Sequence, residues 1–286
     1  MSDMKNKNLL VKPYLKWAGG KRQLLPEIRN YLPKGFSCYY EPFVGAGAVF
    51  FDLQPKNAVI NDSNAELINT YLVIKENLKE LLKLLKEYEV KNNPESFYEI
   101  RRQDREKNYS QRTDVERAAR FIYLNKTCYN GLYRVNSQGL FNTPFGNYDK
   151  PAIVNEPVLK AVNKYLNHKN NNIRIISEDF EKSVEDAMEG DFVYFDPPYH
   201  SPDGSNFTGY QSGGFDEKEQ RRLFNLYRKL TDERVLCMLS NSSTEFIRKL
   251  YSDFPIVVVQ ANRSINSNPN DRGAVDEILV INWSKK

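Results

Sequence analysis

Short apolar runs alternate along the chain with longer segments in which apolar residues recur every three to four positions. The short runs predict β-strands, and the longer amphipathic segments predict helices that connect them. This alternation is typical of an α/β fold with a mainly parallel sheet. The predicted strands are Cys38–Pro42, Ala58–Asn61, Ile173–Ile176, Phe192–Phe195, Val235–Leu239, Ile256–Gln260 and Ile278–Ile281. The predicted helices are Gly47–Leu53, Ala65–Tyr88, Glu217–Thr231 and Thr244–Leu250.

Two polar loops interrupt the second half of the chain. Ala261–Asp276 separates the last two predicted strands without an intervening helix, which predicts an antiparallel hairpin at the edge of the sheet. Ser201–Gly214 is rich in glycine, serine and asparagine, and we expect it to act as a mobile lid.

The stretch from residue 92 to residue 155 departs from the α/β alternation. It predicts two helices, Pro94–Lys107 and Thr113–Tyr129, followed by a β-hairpin across Leu132–Tyr148 that turns near Asn136–Gly139. We interpret residues 92–155 as an inserted second domain, with residues 1–91 and 156–286 forming the core.

Composition and charge add a first indication of a partner. The chain has 286 residues, of which 40% are hydrophobic, enough to form a sizeable buried core. The formal net charge is +4, and the whole excess lies between Ser96 and Lys150, where ten lysines and arginines accompany six acidic residues. A local basic excess of this kind indicates a polyanionic partner for the inserted segment.

Several classes of protein are excluded by the cysteines, the histidines and the hydropathy. Cys38, Cys128 and Cys237 are far apart and odd in number, so we expect free, buried or half-buried thiols and no disulfide framework. His168 and His200 form no metal-binding motif, and we expect no metal. No apolar run approaches the roughly 20 residues of a membrane span. We expect a cytoplasmic protein without a membrane partner, monomeric in solution.

A glycine turn follows the first predicted strand. Gly45 follows the predicted strand Cys38–Pro42, and Gly47 begins the next predicted helix, an arrangement that allows a ligand to approach the backbone closely. The dinucleotide fingerprint is incomplete, because Phe50 occupies the third glycine position. Asp62 follows the second strand, where a carboxylate can accept both ribose hydroxyls of a nucleoside. The alternatives are glycines that serve packing and an aspartate that caps the next helix.

A second turn, Asp196-Pro197-Pro198-Tyr199, follows the buried strand Phe192–Phe195. The prolines restrict the backbone, so the Asp196 carboxylate, the Pro197 carbonyl and the Tyr199 ring are presented to one place. Two acceptors beside an aromatic ring suit a planar heterocycle that carries an amino group. The alternative is a purely structural turn.

These motifs resemble those of Dam-type DNA adenine-N6 methyltransferases. The resemblance rests on Lys16-Trp17-Ala18-Gly19-Gly20-Lys21, Glu41-Pro42-Phe43-Val44-Gly45-Ala46-Gly47 and Asp196-Pro197-Pro198-Tyr199, whose order is similar to that of the alpha class. It implies a Rossmann-like methyltransferase sheet in a bacterial or phage-encoded enzyme. It also implies methyl transfer from S-adenosylmethionine to adenine N6 in double-stranded GATC.

The resemblance further implies which residues form the site. The cofactor contacts that carry over are Trp17, Lys21, Glu41, Phe43, Gly45, Gly47, Asp62, Asp179, Phe180 and Asp196. The catalytic residues that carry over are Asp196, Pro197, Pro198 and Tyr199. Because the amino group of adenine is inaccessible in a duplex, the base must be flipped out, with the ring of Tyr199 stacking on it.

The predicted hairpin carries side chains that suit base edges. Asn130 can pair with adenine, Leu132 can contact a thymine methyl group, and Arg134 can donate two hydrogen bonds to guanine. The alternative is a packed hairpin with no role in recognition. Its pattern is similar to the GATC-reading arm of the Dam family, which implies DNA contacts at Lys16, Tyr129, Asn130, Leu132, Arg134, Pro144, Asn147 and Tyr148. Asn147 departs from that family, in which some relatives carry arginine.

Three other functions are compatible with parts of this pattern. An RNA adenine methyltransferase usually carries asparagine at the position of Asp196 and lacks the hairpin. An amino-cytosine methyltransferase typically carries serine there. The third alternative is a DNA-binding module without catalytic activity.

Overall fold

The computed structural model describes residues 7–17, 21–202, 215–262 and 274–284. Within these ranges the strands are β1 (Tyr39–Glu41), β2 (Asn57–Asn61), β3 (Asn172–Ile176), β4 (Phe192–Phe195), β5 (Leu236–Ser242), β6 (Ile256–Asn262) and β7 (Ala274–Ile281). The α-helices in the same ranges are α1 (Leu25–Tyr31), α2 (Ala48–Leu53), α3 (Ala65–Glu76), α4 (Leu78–Val90), α5 (Pro94–Arg102), α6 (Asp114–Thr127), α7 (Glu156–Leu166), α8 (Glu217–Asp232) and α9 (Glu245–Leu250). Most of the predicted lid, Ser201–Gly214, lies outside the described residues.

The strands form one sheet in the order β3-β2-β1-β4-β5-β7-β6. Strands β1 to β5 are parallel, whereas β7 is antiparallel to both β5 and β6. The predicted parallel α/β core and its antiparallel edge hairpin are therefore confirmed. The chain leaves β1 toward β2 and leaves β4 toward β5, so a crevice opens at the carboxyl ends of these two neighbouring strands. In open α/β sheets this is where ligands bind.

Alternation along the strands explains why both faces of the sheet are covered. Tyr39 and Tyr194 belong to an apolar cluster on one face, whereas Tyr40 and Phe195 belong to a second cluster on the other. Successive side chains of a strand point to opposite faces, so a strand that is apolar throughout requires helices on both sides. The first face is covered by helices that include α3, α6 and α7, and the second by α8 and α9.

The prediction of one continuous helix over Ala65–Tyr88 is wrong, because the helix is broken at Asn77. Asn77 ends α3 and precedes α4 with φ −129° and ψ 37°. The side chain of Asn163 on α7 donates to the carbonyls of Ile74 and Lys75 at 2.7 and 3.0 Å. These bonds satisfy carbonyl groups at the end of α3 and stabilise the break.

The inserted segment contains the predicted helices in shortened form. Helix α6 begins after Thr113, whose side chain forms a capping box with Glu116. The predicted hairpin consists of two isolated antiparallel bridges, Cys128 with Phe145 and Val135 with Phe141. Its predicted turn is confirmed by a hydrogen bond of 2.9 Å from the N–H of Gly139 to the carbonyl of Asn136.

Residues 92–155 pack against the rest of the chain through apolar side chains, and arginines join parts of this segment to one another. Phe97 and Phe121 belong to the same apolar cluster as the core strand residue Tyr39. Arg101 and Arg105 donate to the carbonyl of Phe141 at 3.3 and 2.8 Å, which joins the hairpin to the end of α5. Part of the local basic excess is therefore used inside the protein.

The cysteines agree with the expectation of free thiols. All three cysteines are free thiols; Cys128 and Cys237 are buried and Cys38 is half-buried. No helix in the described ranges has the length and apolar character that a membrane crossing requires.

Candidate active site

The Asp196 carboxylate lies just past the carboxyl end of β4 and is held by two donors. The Lys21 ammonium lies 2.8 Å from Oδ1, and the Ser240 hydroxyl donates to the same oxygen at 2.7 Å. Ser240 has a single hydroxyl proton, so the 3.0 Å contact with Tyr194 is a bond that the Tyr194 hydroxyl donates. These contacts fix the orientation of the carboxylate and place both donors on Oδ1.

Burial and these donors act on the Asp196 carboxyl in opposite directions. Withdrawal from water raises the pKa of Asp196, while Lys21 and Ser240 oppose the increase, and the net effect is a raised pKa. The Asp196 carboxylate is half-buried, with 19% of its side chain exposed, so its charge is screened less than in bulk water and it is a stronger hydrogen-bond acceptor.

The Tyr199 ring shares the Lys21 ammonium with Asp196. Lys21 Nζ lies 4.4 Å from the centre of the ring, and the Tyr199 hydroxyl donates to Glu277 Oε2 at 2.8 Å. Glu277 is 9% exposed and comes from β7, where it is paired in register with Ser242. The ring is therefore fixed at its hydroxyl end and contacted by a cation, beside the Asp196 carboxylate.

Buried amides support the backbone of this turn. Gln220 on α8 donates to the Pro198 carbonyl at 2.9 Å, and its own Oε1 accepts from Asn241 at 3.1 Å. The Asn241 oxygen accepts from the N–H of His200 at 3.1 Å, and the Ser242 hydroxyl donates to the His200 carbonyl at 2.6 Å. The turn is thus bonded on both sides of Tyr199, which pre-organises it for a substrate.

The glycine turn lies at the neighbouring strand ends. The Gly45 N–H donates to Asp62 Oδ2 at 3.0 Å, and the Gly45 carbonyl accepts from the Tyr71 hydroxyl at 2.8 Å. Gly45 has φ +51°, and a Cβ there would lie 2.8 Å from Trp17 Cδ1. Glycine is needed at this position for both reasons, and Trp17 is held against the turn. Gly47 lies directly before α2.

The Asp62 carboxylate is bonded to the turn and does not cap the following helix. Its Oδ1 accepts from the N–H of Asn64 at 3.0 Å, whereas the N-cap of α3 is the Asn64 side chain. Burial raises the pKa of Asp62 to about 6, against the backbone N–H groups of Asn64 and Gly45, which lower it. Asp62 therefore titrates in an accessible pH range.

An aromatic group lies beside the strand ends. The rings of Phe43 and Phe180 have their centres 5.4 Å apart, and Phe215 lies 5.7 and 5.9 Å from them. The Arg222 guanidinium covers Phe180 at 4.4 Å and pairs with the exposed Asp179. This group provides an apolar surface that suits a planar ring, with charged groups at its margin.

Glu41 differs from the other candidates because it is buried beneath the turn. It is 3% exposed and accepts a hydrogen bond of 2.7 Å from the Tyr39 hydroxyl. Burial raises the pKa of Glu41 well above its usual value. The structure brings Asp196, Lys21 and Tyr199 together, and brings Trp17, Gly45 and Asp62 together, but places Glu41 below the surface.

The residues predicted to contact DNA lie on the hairpin and the adjoining N-terminal segment. Five of the hairpin residues are exposed: Tyr129, Asn130, Arg134, Pro144 and Asn147. Leu132 and Tyr148 are half-buried, and the exposed Lys16 extends its ammonium to 4.4 Å from the centre of the Tyr148 ring. The Arg134 Nε donates to Asn142 at 3.0 Å. The hairpin therefore presents polar, aromatic and basic groups to solvent.

Sequence reasoning missed the residues that support these groups. Ser240, Asn241, Gln220 and Glu277 all contact residues 196–200, yet each is an ordinary polar residue in the sequence. The polar run that ends β5 was the available signal, since polar residues at the carboxyl end of a buried parallel strand face the ligand edge. No group of three or more His, Cys, Asp or Glu residues that could hold a metal occurs in the described ranges.

Comparison with known proteins finds similarity to one family and to several DNA methyltransferases. Residues 17–265 match the family described as D12 class N6 adenine-specific DNA methyltransferase. The chain is 43% identical to the type II methyltransferase M1.LlaDCHI of Lactococcus lactis, over 99% of both chains. It is 42% identical to the type II methyltransferase M.MjaIII of Methanocaldococcus jannaschii, covering 96% of this chain and 99% of that one. It is 36% identical to the DNA adenine methylase of Escherichia coli, over 94% of both.

Proposed function

The chain belongs to the D12 class of N6 adenine-specific DNA methyltransferases, and from that premise we propose that it methylates adenine N6 in double-stranded GATC. The proposed methyl donor is S-adenosylmethionine, and the target adenine is flipped out of the duplex. The observation that carries the proposal is the Asp196 carboxylate, fixed through Oδ1 by Lys21 and Ser240 beside the Tyr199 ring.

The strand ends beside this turn suit S-adenosylmethionine. Asp62 would accept the ribose hydroxyls, the Phe43 and Phe180 rings would contact the adenine, and the turn at Gly45 would approach the methionine part. Trp17, Gly47, Asp179 and Lys21 complete the proposed contacts, whereas Glu41 is buried and accepts from the Tyr39 hydroxyl. The cofactor supplies an electrophilic methyl group bound to a positively charged sulfur.

Asp196 and the Pro197 carbonyl are proposed to accept hydrogen bonds from the target amino group. The nitrogen lone pair of adenine is delocalised into the ring, which makes the amino group a poor nucleophile. Two acceptors on its protons favour a tetrahedral nitrogen with a localised lone pair. Because Lys21 and Ser240 both donate to Oδ1, we assign the amino group to Oδ2 of Asp196. The carboxylate also stabilises the positive charge that develops on nitrogen.

Tyr199 is proposed to stack on the flipped base. Its ring is fixed at the hydroxyl end by Glu277, and the backbone around it is bonded to Gln220 and Asn241. A fixed ring loses little conformational freedom when the base arrives, which favours productive orientation. Pro197 and Pro198 contribute by restricting this backbone.

Residues 92–155 are proposed to be the target-recognition domain. Their exposed hairpin side chains and the adjoining Lys16 would contact the DNA, with Tyr129 placed to fill the space that the flipped base leaves. Asn130 would pair with adenine, Leu132 would contact a thymine methyl group, and Arg134 would read guanine. Pro144, Asn147 and Tyr148 complete the proposed surface.

The raised pKa of Asp62 predicts a pH dependence of cofactor binding. An ionised carboxylate accepts two ribose hydroxyls better than a carboxylic acid, so binding should weaken as the pH falls through about 6. We expect the Kd of S-adenosylmethionine to be constant above pH 7 and to rise toward tenfold per pH unit below 6, measured by calorimetry. Asp62→Asn should bind weakly without this pH step; the same step in that variant would contradict the assignment.

Arg134→Ala is expected to relax the preference for one guanine of the site. Asn142 already bonds Nε, so the terminal nitrogens are the ones we assign to guanine O6 and N7. Transfer of labelled methyl groups to duplexes changed at each base should show a loss of about 1–3 kcal/mol of discrimination at that position. Arg102→Ala removes an equal exposed charge from α5 and should weaken the binding of all duplexes by the same factor.

The same series of duplexes tests the proposed site for the unaltered protein. We expect GATC to be methylated in preference to every single-base variant, each change costing about 1–3 kcal/mol. Equal methylation of all variants would contradict the GATC assignment.

A further inference from the structure

Asn125, on the last turn of α6, joins two segments that are far apart in sequence. The residue is fully buried. Its Oδ1 accepts from the backbone N–H of Lys16 at 2.9 Å, and its Nδ2 donates to the Lys16 carbonyl at 2.7 Å. The same Nδ2 donates to the Gly131 carbonyl at 3.2 Å. One side chain therefore bonds both backbone polar groups of Lys16 to the start of the hairpin, across 109 positions of sequence.

The side chain of Lys16 lies directly against Gly131. Gly131 has φ +66°, and a Cβ at that position would lie 2.3 Å from Cδ and 2.7 Å from Cβ of Lys16. The lysine stem thus crosses the backbone between Asn130 and Leu132 at a distance that only glycine allows. Its ammonium extends to 4.4 Å from the centre of the Tyr148 ring, on the opposite arm of the hairpin.

A lysine is a flexible side chain with a point charge, so its ability to select one base depends on where its stem begins. Two hydrogen bonds from one amide fix both the position and the direction of the Lys16 backbone. If the buried Asn125 amide lost these partners, its unsatisfied groups would destabilise the fold, which favours the bonded arrangement. The Asn125 side chain makes two hydrogen bonds to Lys16 and one longer bond to the Gly131 carbonyl, so we expect its influence on the exposed face to act mainly through Lys16.

We propose that Asn125 is a positioning residue for sequence specificity. It fixes Lys16 against the hairpin so that the Lys16 ammonium reads one base pair of the site, and without it the discrimination at that base pair is lost. This inference rests on the proposed function, in which Lys16 contacts DNA. Trp17, the neighbour of Lys16, is also stacked against Phe121 and Tyr133, with ring centres 6.3 and 6.2 Å away. The loss of Asn125 should therefore leave cofactor affinity within about twofold of wild type.

The test is a comparison of Asn125→Leu with Lys16→Ala in the full-length protein. Each protein is mixed with a pool of random duplexes, and the sequences that it retains are read, so the result does not depend on turnover. We expect both variants to lose preference at the same base pair by about tenfold, with the other positions unchanged. The double variant should lose no more than either single one, because the two residues act as one unit.

Two further variants separate positioning from general loss of structure. Gly131→Ala keeps Asn125 but adds a Cβ that collides with Lys16. It should weaken the preference at the same base pair. Thr127→Val changes another fully buried polar residue of α6, whose hydroxyl donates to the carbonyl of Tyr123 in the same helix. It should retain the wild-type preference at every position, and thermal unfolding identifies any variant that is not folded.

The outcomes distinguish this inference from the proposed function. Lys16→Ala defines the base pair at which the preference is lost. If Asn125→Leu and Gly131→Ala lose preference at other base pairs, or at all base pairs equally, the role of Asn125 would be overturned. No relaxation in Lys16→Ala would overturn it as well. A wild-type preference for a sequence other than GATC would overturn the proposed site, while the coincidence of the relaxed positions would still support Asn125. A wild-type protein without any preferred sequence would overturn both.

Discussion

Asp196→Ala is expected to abolish methyl transfer, with a loss in kcat of at least about 1000-fold. The carboxylate is the acceptor that we assign to the target amino group, and its Oδ1 is already fixed by Lys21 and Ser240. Removing it leaves the amino nitrogen planar and unreactive and removes the stabilisation of its developing charge. Single-turnover transfer to a GATC duplex measures this step without interference from product release.

The control for this prediction must separate chemistry from folding. Asp196→Ala leaves the largely buried Lys21 without its carboxylate partner, which can itself cost several kcal/mol of stability. Asp196→Asn keeps the volume and a hydrogen-bond acceptor for Lys21 and Ser240, so it should remain folded in thermal unfolding. With its oxygen held by these two donors, the amide turns its NH2 group toward the target amino group in place of the acceptor Oδ2, so the variant should be almost as inactive as Asp196→Ala. Activity near that of wild type in a folded Asp196→Asn protein would contradict the assigned role.

Tyr199→Ala is expected to lower kcat by about 10- to 100-fold, through the loss of stacking on the flipped base. Stacking on an aromatic side chain contributes about 1–3 kcal/mol per base. We place the ring against the target base, so the Kd of S-adenosylmethionine should change far less than kcat. Equilibrium cofactor binding and single-turnover rates measure the two effects separately.

Tyr199→Phe is the matched control, because it keeps the ring and removes the hydroxyl that bonds Glu277. It should lose less than about tenfold in kcat, since only the position of the ring is affected. Fluorescence of 2-aminopurine at the target position reports how far the base leaves the stack. Equal losses for Tyr199→Ala and Tyr199→Phe would show that the hydroxyl matters and that stacking does not.

The sheet and the two turns could be predicted from sequence because their signals are local. Each predicted strand is a short apolar run, and Gly45 and Asp196 each follow such a run directly, at the edge where ligands bind. The pairing of β6 with β7 also followed from the sequence, because the polar residues between these strands carry no helical pattern. The break at Asn77 did not, because the bonds that stabilise it come from Asn163, far away in the sequence.

The supports of the site could not be predicted for the same reason. Ser240, Gln220 and Glu277 come from β5, α8 and β7, and only the folded sheet brings them to the catalytic turn. The charged residues near the end of α5 show a related limit of charge counting. Arg101 and Arg105 bond the Phe141 carbonyl within the protein, although their charges alone suggested a partner outside it.

The most direct test of the account is the identity of the methylated product. Purified protein is incubated with isotope-labelled S-adenosylmethionine and either a GATC duplex or a matched GTTC duplex, and the digested nucleosides are analysed by mass spectrometry. We predict labelled N6-methyladenine from GATC, about 5- to 150-fold less from GTTC, and at least about 100-fold less from GATC with Asp196→Asn than with the unaltered protein. Three results would contradict the proposed methylation of adenine in GATC: labelled methylcytosine, equal labelling of both duplexes, or undiminished N6-methyladenine with Asp196→Asn.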